Sequence, residues 1–429
     1  MKIAVITNRY PPRVGGVEFH VENLARGLTQ EGHQVWVLTI DDAPGRRSEG
    51  AVQVLTGVSH LPVAEVIAFP SLGSTRRIAA WLRAHRIDVV STHTRFFPMS
   101  LVGLRAAHAA GVPVVHTEHG SGFVAASSPV IALGSRTVDL TAGRYVLRHA
   151  DRVLAVSPQA ADFVKRLGGV DADVFYNAIA PATCTGDVPQ RPGHLVFVGR
   201  MVAGKGWDTF LEAVAALRDR GVEVDGELLG GGSDLEKARH RATELGLDDV
   251  VAVRGRVGQD EVRGALRGAT LVNPTVLSEG FQTTLLEAIA EAGRVVTYEV
   301  PGARLLHDSG APVRICPHRT LDSLIATLAD ALIAPDPLAS SELVTQWTWP
   351  VQPDRPGCRP FPGSSYTGDV PVTFVLRRAT DLSAPSRLGR EGIRACPRNP
   401  WHPRWDSGYQ TRPRAEPRIV GEVTWMSRS

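Results

Sequence analysis

The chain of 429 residues is 43% hydrophobic and 21% charged, which is typical of globular proteins, and it is long enough for two or three domains. We expect neither a membrane span nor a secretory signal, because no apolar run approaches roughly 18 residues and the first residues lack a signal layout. The net charge of +3 is concentrated in residues 351–429, where arginines outnumber acidic residues almost two to one. The rest of the chain is slightly acidic, so its folded part is not expected to bind nucleic acid.

Four cysteines lie far apart in the sequence and form no C-x-x-C pair. This pattern predicts neither a disulfide framework nor a zinc site, and it favours a cytoplasmic protein. The positions are Cys184, Cys316, Cys358 and Cys396.

Short apolar runs alternate with helical patterns through residues 1–180, which predicts a parallel sheet covered by helices. The run at residues 2–7 is the first buried strand. Gly15 and Gly16 follow it and open a helix, so a phosphate or a sugar can approach the backbone here. A plain tight turn is the more common explanation of a glycine pair, and the pair is not the G-x-G-x-x-G fingerprint of NAD enzymes.

Two histidines lie at the ends of predicted strands in this half. His93 ends the strand at residues 87–93, and His119 lies at the end of the strand predicted in residues 113–120. Ligands of open α/β sheets bind beyond the carboxyl ends of strands, so we expect His119 to face a ligand. For His93 an ordinary strand-end histidine is the preferred interpretation, and the spacing of the two predicts no metal site.

The N-terminal half ends with a helix around residues 138–148 and a strand that begins at residue 173 and ends at Asn177. Residues 181–193 are rich in Pro, Gly and Thr without periodicity, which predicts an interdomain linker. A second α/β series occupies residues 194–350.

Arg200 and Lys205 follow the first strand of the second series, in a glycine-containing loop. Two fixed cations there can hold a diphosphate and stabilise negative charge on a leaving group. Solvated loop cations are the plain alternative, but lysine is rare in this arginine-rich chain, which favours a functional Lys205.

Residues 274–302 read as a strand end, a loop, a helix and a second strand, and the predicted site is arranged around them. Thr283 is the predicted N-cap of the helix, and Glu287 lies on its first turns. The loop before it carries Glu279, Gly280 and Phe281. The free N–H groups at the helix N-terminus suit an anion or a hydroxyl-rich ligand. The alternative is a solvated Glu279 and a Glu287 that only stabilises the helix dipole.

Three motifs occur in a fixed order: GGVE at residues 15–18, G-R-x4-K-G at residues 199–206 and S-E-G-F-x5-E-A at residues 278–288. In this order they resemble the retaining glycosyltransferases of family four over about residues 1–350. The resemblance implies the GT-B fold, in which two Rossmann-like α/β/α domains face each other across a cleft. It also implies transfer of a hexose from a UDP- or GDP-linked sugar, with retention of configuration and without a metal ion or another cofactor.

The resemblance implies a role for each matching residue of the second domain. Arg200 and Lys205 would bind the donor diphosphate. Glu279, with the backbone of Gly280 and Phe281, would contact the donor sugar.

Further matches lie around the nucleotide and on the facing domain. Glu287 would hold the ribose, and Gly232 belongs to the glycine turn on the nucleotide side. His119 would face the donor sugar, and Gly16 would let its loop approach the phosphate or the acceptor. In the front-face route usual for the family, the donor phosphate takes the acceptor's proton, so the site needs leaving-group stabilisation more than a strong base.

Two alternatives stay open at this stage: a nucleotide-sugar-binding protein made inactive by an altered C-terminus, and a nucleotide-sugar epimerase of the same fold. The acceptor, which can be a glycan, a lipid or a small molecule, and the oligomeric state have no signature in the sequence. The basic helix at residues 76–86 would fit a peripheral protein with a lipid-linked acceptor at the inner membrane face, although a solvated helix face is the simpler explanation.

The C-terminal part breaks the pattern. Family members end with a Trp-containing helix that returns to the N-terminal domain, and residues 341–352 resemble its beginning. Residues 351–429 are rich in Pro, Arg, Gly and Ser without a helical period, which predicts disorder or, by our hypothesis, a shift of reading frame near residues 351–356. Resequencing the gene tests the frameshift, and a basic arm for an anionic membrane or nucleic acid is the rival explanation.

Overall fold

Two parallel-stranded sheets form the framework of the protein. The computed structural model describes residues 1–13, 15–63, 67–123, 129–182, 188–277, 279–345 and 347–348. The tail predicted at residues 351–429 lies outside the described residues, as does Ser278 of the third motif.

The first sheet has nine strands. They are β1 Lys2–Ile6, β2 Gln34–Asp41, β3 Gly45–Glu49, β4 Val52–Val63, β5 Ile67–Pro70, β6 Val89–His93, β7 Val114–Glu118, β8 Arg152–Ala155 and β9 Asp173–Val174. Their order is β3-β4-β2-β1-β6-β7-β8-β9, and β5 pairs with β4. Strands β3 and β5 run antiparallel to β4, and the other described pairs are parallel.

Six α-helices accompany this sheet. They are α1 Gly16–Gln30, α2 Ser74–His85, α3 Pro98–Ala110, α4 Pro129–Val138, α5 Arg144–His149 and α6 Pro158–Gly168. The alternation along β1 decides which helix covers which face. Ile3 and Val5 pack with α1, whereas Ala4 and Ile6 pack with α2 and α3. Helices therefore cover both faces of a sheet whose central strands are buried throughout.

The second sheet has six strands. They are β10 His194–Val198, β11 Asp225–Leu229, β12 Val251–Gly255, β13 Thr270–Asn273, β14 Arg294–Thr297 and β15 Val313–Ile315. All its pairs are parallel, in the order β12-β11-β10-β13-β14-β15. Two mainly parallel sheets, one after the other along the chain, are the architecture that the sequence predicted.

Seven helices lie in the described residues of the second half of the chain. They are α7 Trp207–Asp219, α8 Leu235–Glu244, α9 Gln259–Leu266, α10 Thr283–Ala290, α11 Ala303–Asp308, α12 Leu321–Ile333 and α13 Ser341–Thr345. Leu195 and Phe197 of β10 pack with α7, α8 and α12, whereas Val196 packs with α9, α10 and α11. Helix α13 lies where the beginning of a returning helix was predicted.

Three local predictions were wrong in their boundaries. The strand expected to end at Asn177 is shorter and covers Asp173–Val174, and the Asn177 side chain beyond it donates to the Phe281 carbonyl in the second half of the chain. The helix expected around residues 138–148 begins at Pro129 and contains a π-helical turn at Asp139–Gly143. Thr283 is the first residue of α10 rather than its N-cap, which is Gln282.

The end of the described chain returns to the N-terminal half. The Trp347 ring stacks on Phe281, with centroids 5.6 Å apart and planes at 21°, and its edge meets Tyr176. Thr348 forms a parallel bridge with Ile179. Because Tyr176 and Ile179 precede the predicted linker, this segment ties the two halves together. The predicted domain boundaries at 180 and 194 stay predictions.

Helix α2 keeps its apolar side chains inward, as its spacing predicted, with Ile78, Trp81 and Leu82 buried. Across the described ranges, no helix combines the length and the apolar character that crossing a membrane requires.

Candidate active site

The loop with the G-R-x4-K-G motif connects β10 to α7 and rests on the glycine turn that follows β11. The backbone N–H of Gly199 donates to the Leu229 carbonyl over 3.0 Å, and that of Met201 donates to the Gly231 carbonyl over 2.9 Å. At Gly232, where φ is +155°, a Cβ atom would lie 2.3 Å from the Met201 carbonyl oxygen. Only glycine fits this contact, so Gly232 lets the turn after β11 pack against the loop that carries Arg200 and Lys205.

Lys205 points across this loop to Glu279. Its Nζ lies 2.6 Å from Glu279 Oε1, and the two side chains are only 13% and 25% exposed. The loops that carry them are also joined through the backbone, where Val276 N–H donates to the Gly204 carbonyl over 3.0 Å. The structure therefore brings together two predicted site residues from separate motifs.

Gly280 brings the N-terminal half against the same loop. A Cβ atom at Gly280 would lie 1.9 Å from the His119 carbonyl oxygen. The Ser121 hydroxyl donates to the Glu279 carbonyl. The residues after β7 and those before α10 are thus in direct contact, with the His119 carbonyl against the loop that carries Glu279.

The Phe281 side chain has a structural position. Its ring is 5% exposed, stacks on Trp347 and lies against Gly302. Its carbonyl accepts a hydrogen bond from Asn177 Nδ2 over 3.0 Å. A contact between Phe281 and a ligand is therefore left to its backbone N–H, in line with the predicted backbone role.

Glu287 lies on the second turn of α10 and is 8% exposed. Burial raises the pKa of its carboxyl group, while the charge of Arg263 and a 2.8 Å hydrogen bond from Gln259 Nε2 act against that rise. Its carboxylate thus bonds to α9 and does not join the Lys205 pair. Its predicted ribose contact stays a prediction.

Arg200 lies within electrostatic reach of the facing half. Burial raises the pKa of Glu18 on the first turn of α1, and the charges of Arg9, Arg13 and Arg200 lower it. Gly16 begins that helix, and a Cβ atom there would meet no other described residue within 4 Å. The space above Gly16 is open to a ligand, and Glu18, the last residue of the GGVE motif, lies beside it with no role assigned from the sequence.

Three imidazoles converge on the N-terminal side of the cleft. His20 comes from α1, His93 ends β6 and His119 follows β7, and one ring nitrogen of each lies within 4.8 Å of the others. His93 Nδ1 and His119 Nε2 are 3.2 Å apart. Burial lowers the pKa of His20 to about 4, and burial together with the neighbouring imidazoles holds the pKa of His93 and His119 well below the ordinary value. His93 is therefore part of a cluster with His119, not an isolated strand-end residue.

A buried ion network holds the loop that carries His119. Arg95 Nη1 lies 2.7 Å from Glu118 Oε1, and Arg95 Nη2 lies 3.0 Å from Asp139 Oδ2, with all three side chains fully buried. Glu118 also accepts from the Gly120 N–H over 2.7 Å, and Arg95 Nη2 donates to the Gly122 carbonyl over 2.9 Å. Burial alone would raise the pKa of Glu118, but the charge of Arg95 and the hydrogen bonds hold it at about 2. This network fixes the backbone on both sides of His119.

Sequence reasoning missed His20 and Arg95 for different reasons. The order of the strands in the sheet could have predicted the position of His20. Helix α1 starts at the carboxyl end of β1, β1 lies beside β6, and β6 lies beside β7. The helix start and two strand ends therefore meet at one edge. No local pattern marks Arg95, whose partners Glu118 and Asp139 are 23 and 44 residues away.

Comparisons with known proteins agree with this architecture. Two family models together cover well over half of the chain: Glycosyltransferase Family 4 at residues 14–183 and Glycosyl transferases group 1 at residues 192–333. A D-inositol 3-phosphate glycosyltransferase of Arthrobacter sp. (strain FB24) is 27% identical over 340 residues, which are 72% of this chain and 80% of the relative. One subunit of the human phosphatidylinositol N-acetylglucosaminyltransferase is 26% identical over 315 residues, which are 70% of this chain and 62% of the relative.

A solved structure shows the same fold at low identity. Sucrose-phosphate synthase of Thermosynechococcus elongatus superposes with a TM-score of 0.62 at 17% identity, covering 81% of this chain and 95% of that protein. Two Rossmann-like domains that meet at such a cleft define the class of GT-B glycosyltransferases. Within that class, this chain belongs to the family-four glycosyltransferases, the glycosyl transferases group 1.

Proposed function

We propose that the protein transfers a hexose from a UDP- or GDP-linked sugar to an acceptor with retention of the anomeric configuration. The observation that carries the proposal is the position of Lys205, whose Nζ is held 2.6 Å from Glu279 Oε1 in the cleft between the two sheets. Arg200 lies on the same loop as Lys205, and the His119 carbonyl lies against the loop that carries Glu279. This arrangement offers two cations for a diphosphate and a carboxylate for sugar hydroxyls.

The Lys205–Glu279 ion pair suggests how the donor binds. Without a donor, the charge of Lys205 is balanced by Glu279 in a site that is mostly shielded from water. A diphosphate brings negative charge that competes for Lys205, and Glu279 is then released to accept hydrogen bonds from the sugar. Exchange of one anionic partner for another avoids leaving a desolvated ammonium without a partner.

The proposed reaction has a simple atom balance. The acceptor oxygen forms a bond to the anomeric carbon on the face that the diphosphate leaves, and the bond between that carbon and the phosphate oxygen breaks. The departing phosphate oxygen takes the acceptor's proton. Arg200 and Lys205 stabilise the charge that develops on the diphosphate, which is where a preorganised site gives its largest rate effect.

The relatives suggest an acceptor class to test first. Two of them are named for inositol acceptors, D-inositol 3-phosphate and phosphatidylinositol. We therefore propose a cyclic polyol, free, phosphorylated or lipid-linked, as the first acceptor class. The donor base and sugar are left to the assay.

The test is a transfer assay with UDP- and GDP-linked glucose, mannose and N-acetylglucosamine against inositol and inositol phosphate. We expect an α-linked product from an α-linked donor, identified by the anomeric proton coupling in NMR, and no loss of rate in EDTA. Lys205→Ala and Arg200→Ala should each lower kcat by about 10²-fold or more, since each removes charge stabilisation in the transition state. Lys165→Ala is the matched control, because Lys165 is exposed and pairs with the exposed Asp171.

Other products would decide for the alternatives. An epimerised nucleotide sugar without transfer would contradict the proposal in favour of an epimerase. Donor binding without any product, across donors and acceptors, would favour the inactive binding protein. A β-linked product would refute retention alone.

A further inference from the structure

We infer that His20, His93 and His119 together bind one zinc-class ion, and that the bound ion excludes the donor sugar from His119. The three side chains come from α1, β6 and the end of β7, and one ring nitrogen of each lies within 4.8 Å of the others. The second half of this inference rests on the proposed function, because it is there that His119 faces the donor sugar.

The spacing of the imidazoles is close to what such an ion requires. Tetrahedral zinc with bonds of about 2.0–2.1 Å to imidazole places neighbouring ligand nitrogens roughly 3.3 Å apart. His93 Nδ1 and His119 Nε2 are already 3.2 Å apart. His20 faces them edge-on, with ring centroids 4.7 Å from His119 and 5.6 Å from His93. A modest side-chain rotation of His20 completes a three-nitrogen set.

The three imidazole ligands determine which kind of ion binds. Neutral imidazole favours Zn²⁺, Co²⁺, Ni²⁺ and Cu²⁺, whereas Mg²⁺ and Ca²⁺ prefer oxygen ligands. Metal binding uses the neutral imidazole, whose unprotonated ring nitrogen is the ligand atom. Three protein ligands leave a fourth position for water or a substrate oxygen.

Neighbouring groups orient two of the rings. The second nitrogen of His93, Nε2, lies 3.1 Å from Ser91 Oγ, which can accept its proton and leave Nδ1 as the ligand. The Asn177 side chain hydrogen-bonds to His20. Such outer partners fix the tautomer and direction of metal-binding histidines. His119 is partly exposed, which gives an ion a route to the cluster from the cleft.

Occupation by an ion would change what His119 can do. With its Nε2 on the metal, His119 cannot hydrogen-bond the donor sugar through that nitrogen. The ion is therefore inhibitory, which is compatible with a transfer reaction that needs no metal. Zinc availability would then set the fraction of protein open to the donor.

Cobalt is the probe for the site. Co²⁺ is titrated into the full-length, tag-free protein without any nucleotide sugar, and the visible d–d absorption of tetrahedral cobalt is followed. We expect saturation at one ion per chain, displacement by Zn²⁺ and no displacement by Mg²⁺. His20→Gln should weaken the affinity at least tenfold. His240→Gln, at an exposed histidine beside Glu244, should leave it unchanged.

A variant that gains a spectroscopic signal distinguishes the loss of a metal ligand from misfolding. His20→Cys should retain the ion and add a thiolate-to-cobalt charge-transfer band in the near ultraviolet, which only a ligand at that position can produce. Absence of tetrahedral cobalt absorption in the wild type would overturn the inference. So would equal affinity in the wild type and His20→Gln, or a His20→Cys complex without the charge-transfer band.

Competition between the ion and the nucleotide sugar is measured in a separate experiment. In thermal-shift titrations, equimolar Zn²⁺ should raise the apparent Kd of the best nucleotide sugar at least tenfold in the wild type and leave it unchanged in His20→Gln. Cobalt binding without this competition would overturn the inference as stated. If no nucleotide sugar binds the metal-free wild type, the proposed function fails, while the cobalt spectra still decide whether the three histidines form a metal site.

Discussion

At the residue scale, the partner of Lys205 sets the electrostatics of the cleft. Its ammonium lies 2.6 Å from a Glu279 carboxylate in a mostly buried position. Two shielded charges at this distance interact more strongly than the exposed pairs of the protein surface. Donor binding is therefore an exchange of partners, and the two residues should differ in what their loss does.

Replacing Glu279 by Gln should separate binding from turnover. The amide cannot balance Lys205, so the free ammonium should bind UDP or GDP at least as tightly as in the wild type. Transfer should fall by about 10²-fold, because Glu279 is proposed to contact the donor sugar. Nucleotide affinity by calorimetry and kcat by product assay measure the two effects.

Glu299→Gln is the control for this experiment, since Glu299 pairs with Arg304 on the surface with more than half of each side chain exposed. Loss of both nucleotide affinity and turnover in Glu279→Gln would mean that the carboxylate holds the loop together rather than exchanging partners.

The buried Arg95 network gives a second prediction at this scale. Arg95→Met leaves Glu118 and Asp139 as uncompensated carboxylates in the interior, so the free energy of unfolding should fall by about 3–5 kcal/mol. Urea denaturation followed by circular dichroism measures the loss. Arg304→Met removes an exposed partner of Glu299 and should cost about 1 kcal/mol or less. Equal midpoints for the two variants would contradict the role given to the network.

At the element scale, the loop before α10 is where the two halves meet. Gly280→Ala would place a Cβ atom 1.9 Å from the His119 carbonyl oxygen, and backbone cannot yield as a flexible side chain can. We expect the contact to open and the KM for the donor to rise at least tenfold. Gly264→Ala is the control, because Gly264 lies within α9 and, in the part of the chain that the structure describes, no neighbouring side chain or loop comes within 4 Å of a Cβ atom there.

The control variant should be neutral or stabilised by up to about 1 kcal/mol, since alanine is the better helix former. Unchanged donor kinetics in Gly280→Ala would show that the approach of the two loops is not needed for the site.

The limits of sequence reasoning are also clearest for elements. The β-loop-α alternation predicted the central strands and the loops of Lys205 and Glu279, because buried parallel strands are continuous apolar runs. Asn177 was placed in a strand because nothing local shows that its amide bonds to Phe281, 104 residues away. Predicting the cluster of His20 with His93 and His119 requires the order of the strands in the sheet. A single sequence does not reveal that order.

At the scale of the whole molecule, the chain returns from the second half to the first half at Trp347. Its ring stacks on Phe281 from the second half and meets Tyr176 from the first. Aromatic pairs add about 0.5–1.5 kcal/mol each beyond the area that they bury. The Trp347 contact should therefore stabilise the pairing of the two halves as well as the loop of Glu279.

Trp347→Ala should lower the free energy of unfolding by about 2–4 kcal/mol through lost burial and lost ring contacts. Calorimetry should show a lower Tm and a broader or divided transition, because the halves lose part of their connection. Tyr145→Ala removes a partly exposed ring that stacks on its neighbour His149 and should change the Tm far less. A Tm for Trp347→Ala like that of the control would mean that the return of the chain adds no stability.

The central claim is that the cleft receives a nucleotide-diphosphate sugar through Lys205. The most direct test is a thermal-shift panel of UDP, GDP and ADP with their common sugars on the metal-free, full-length protein. We predict a concentration-dependent rise in Tm with one nucleotide class, since a ligand at about 100 times its Kd stabilises the native state by about 2.7 kcal/mol. Lys205→Ala should abolish the rise and Lys165→Ala should preserve it. A cooperative melt that no nucleotide shifts, or a shift that survives in Lys205→Ala, would contradict the claim.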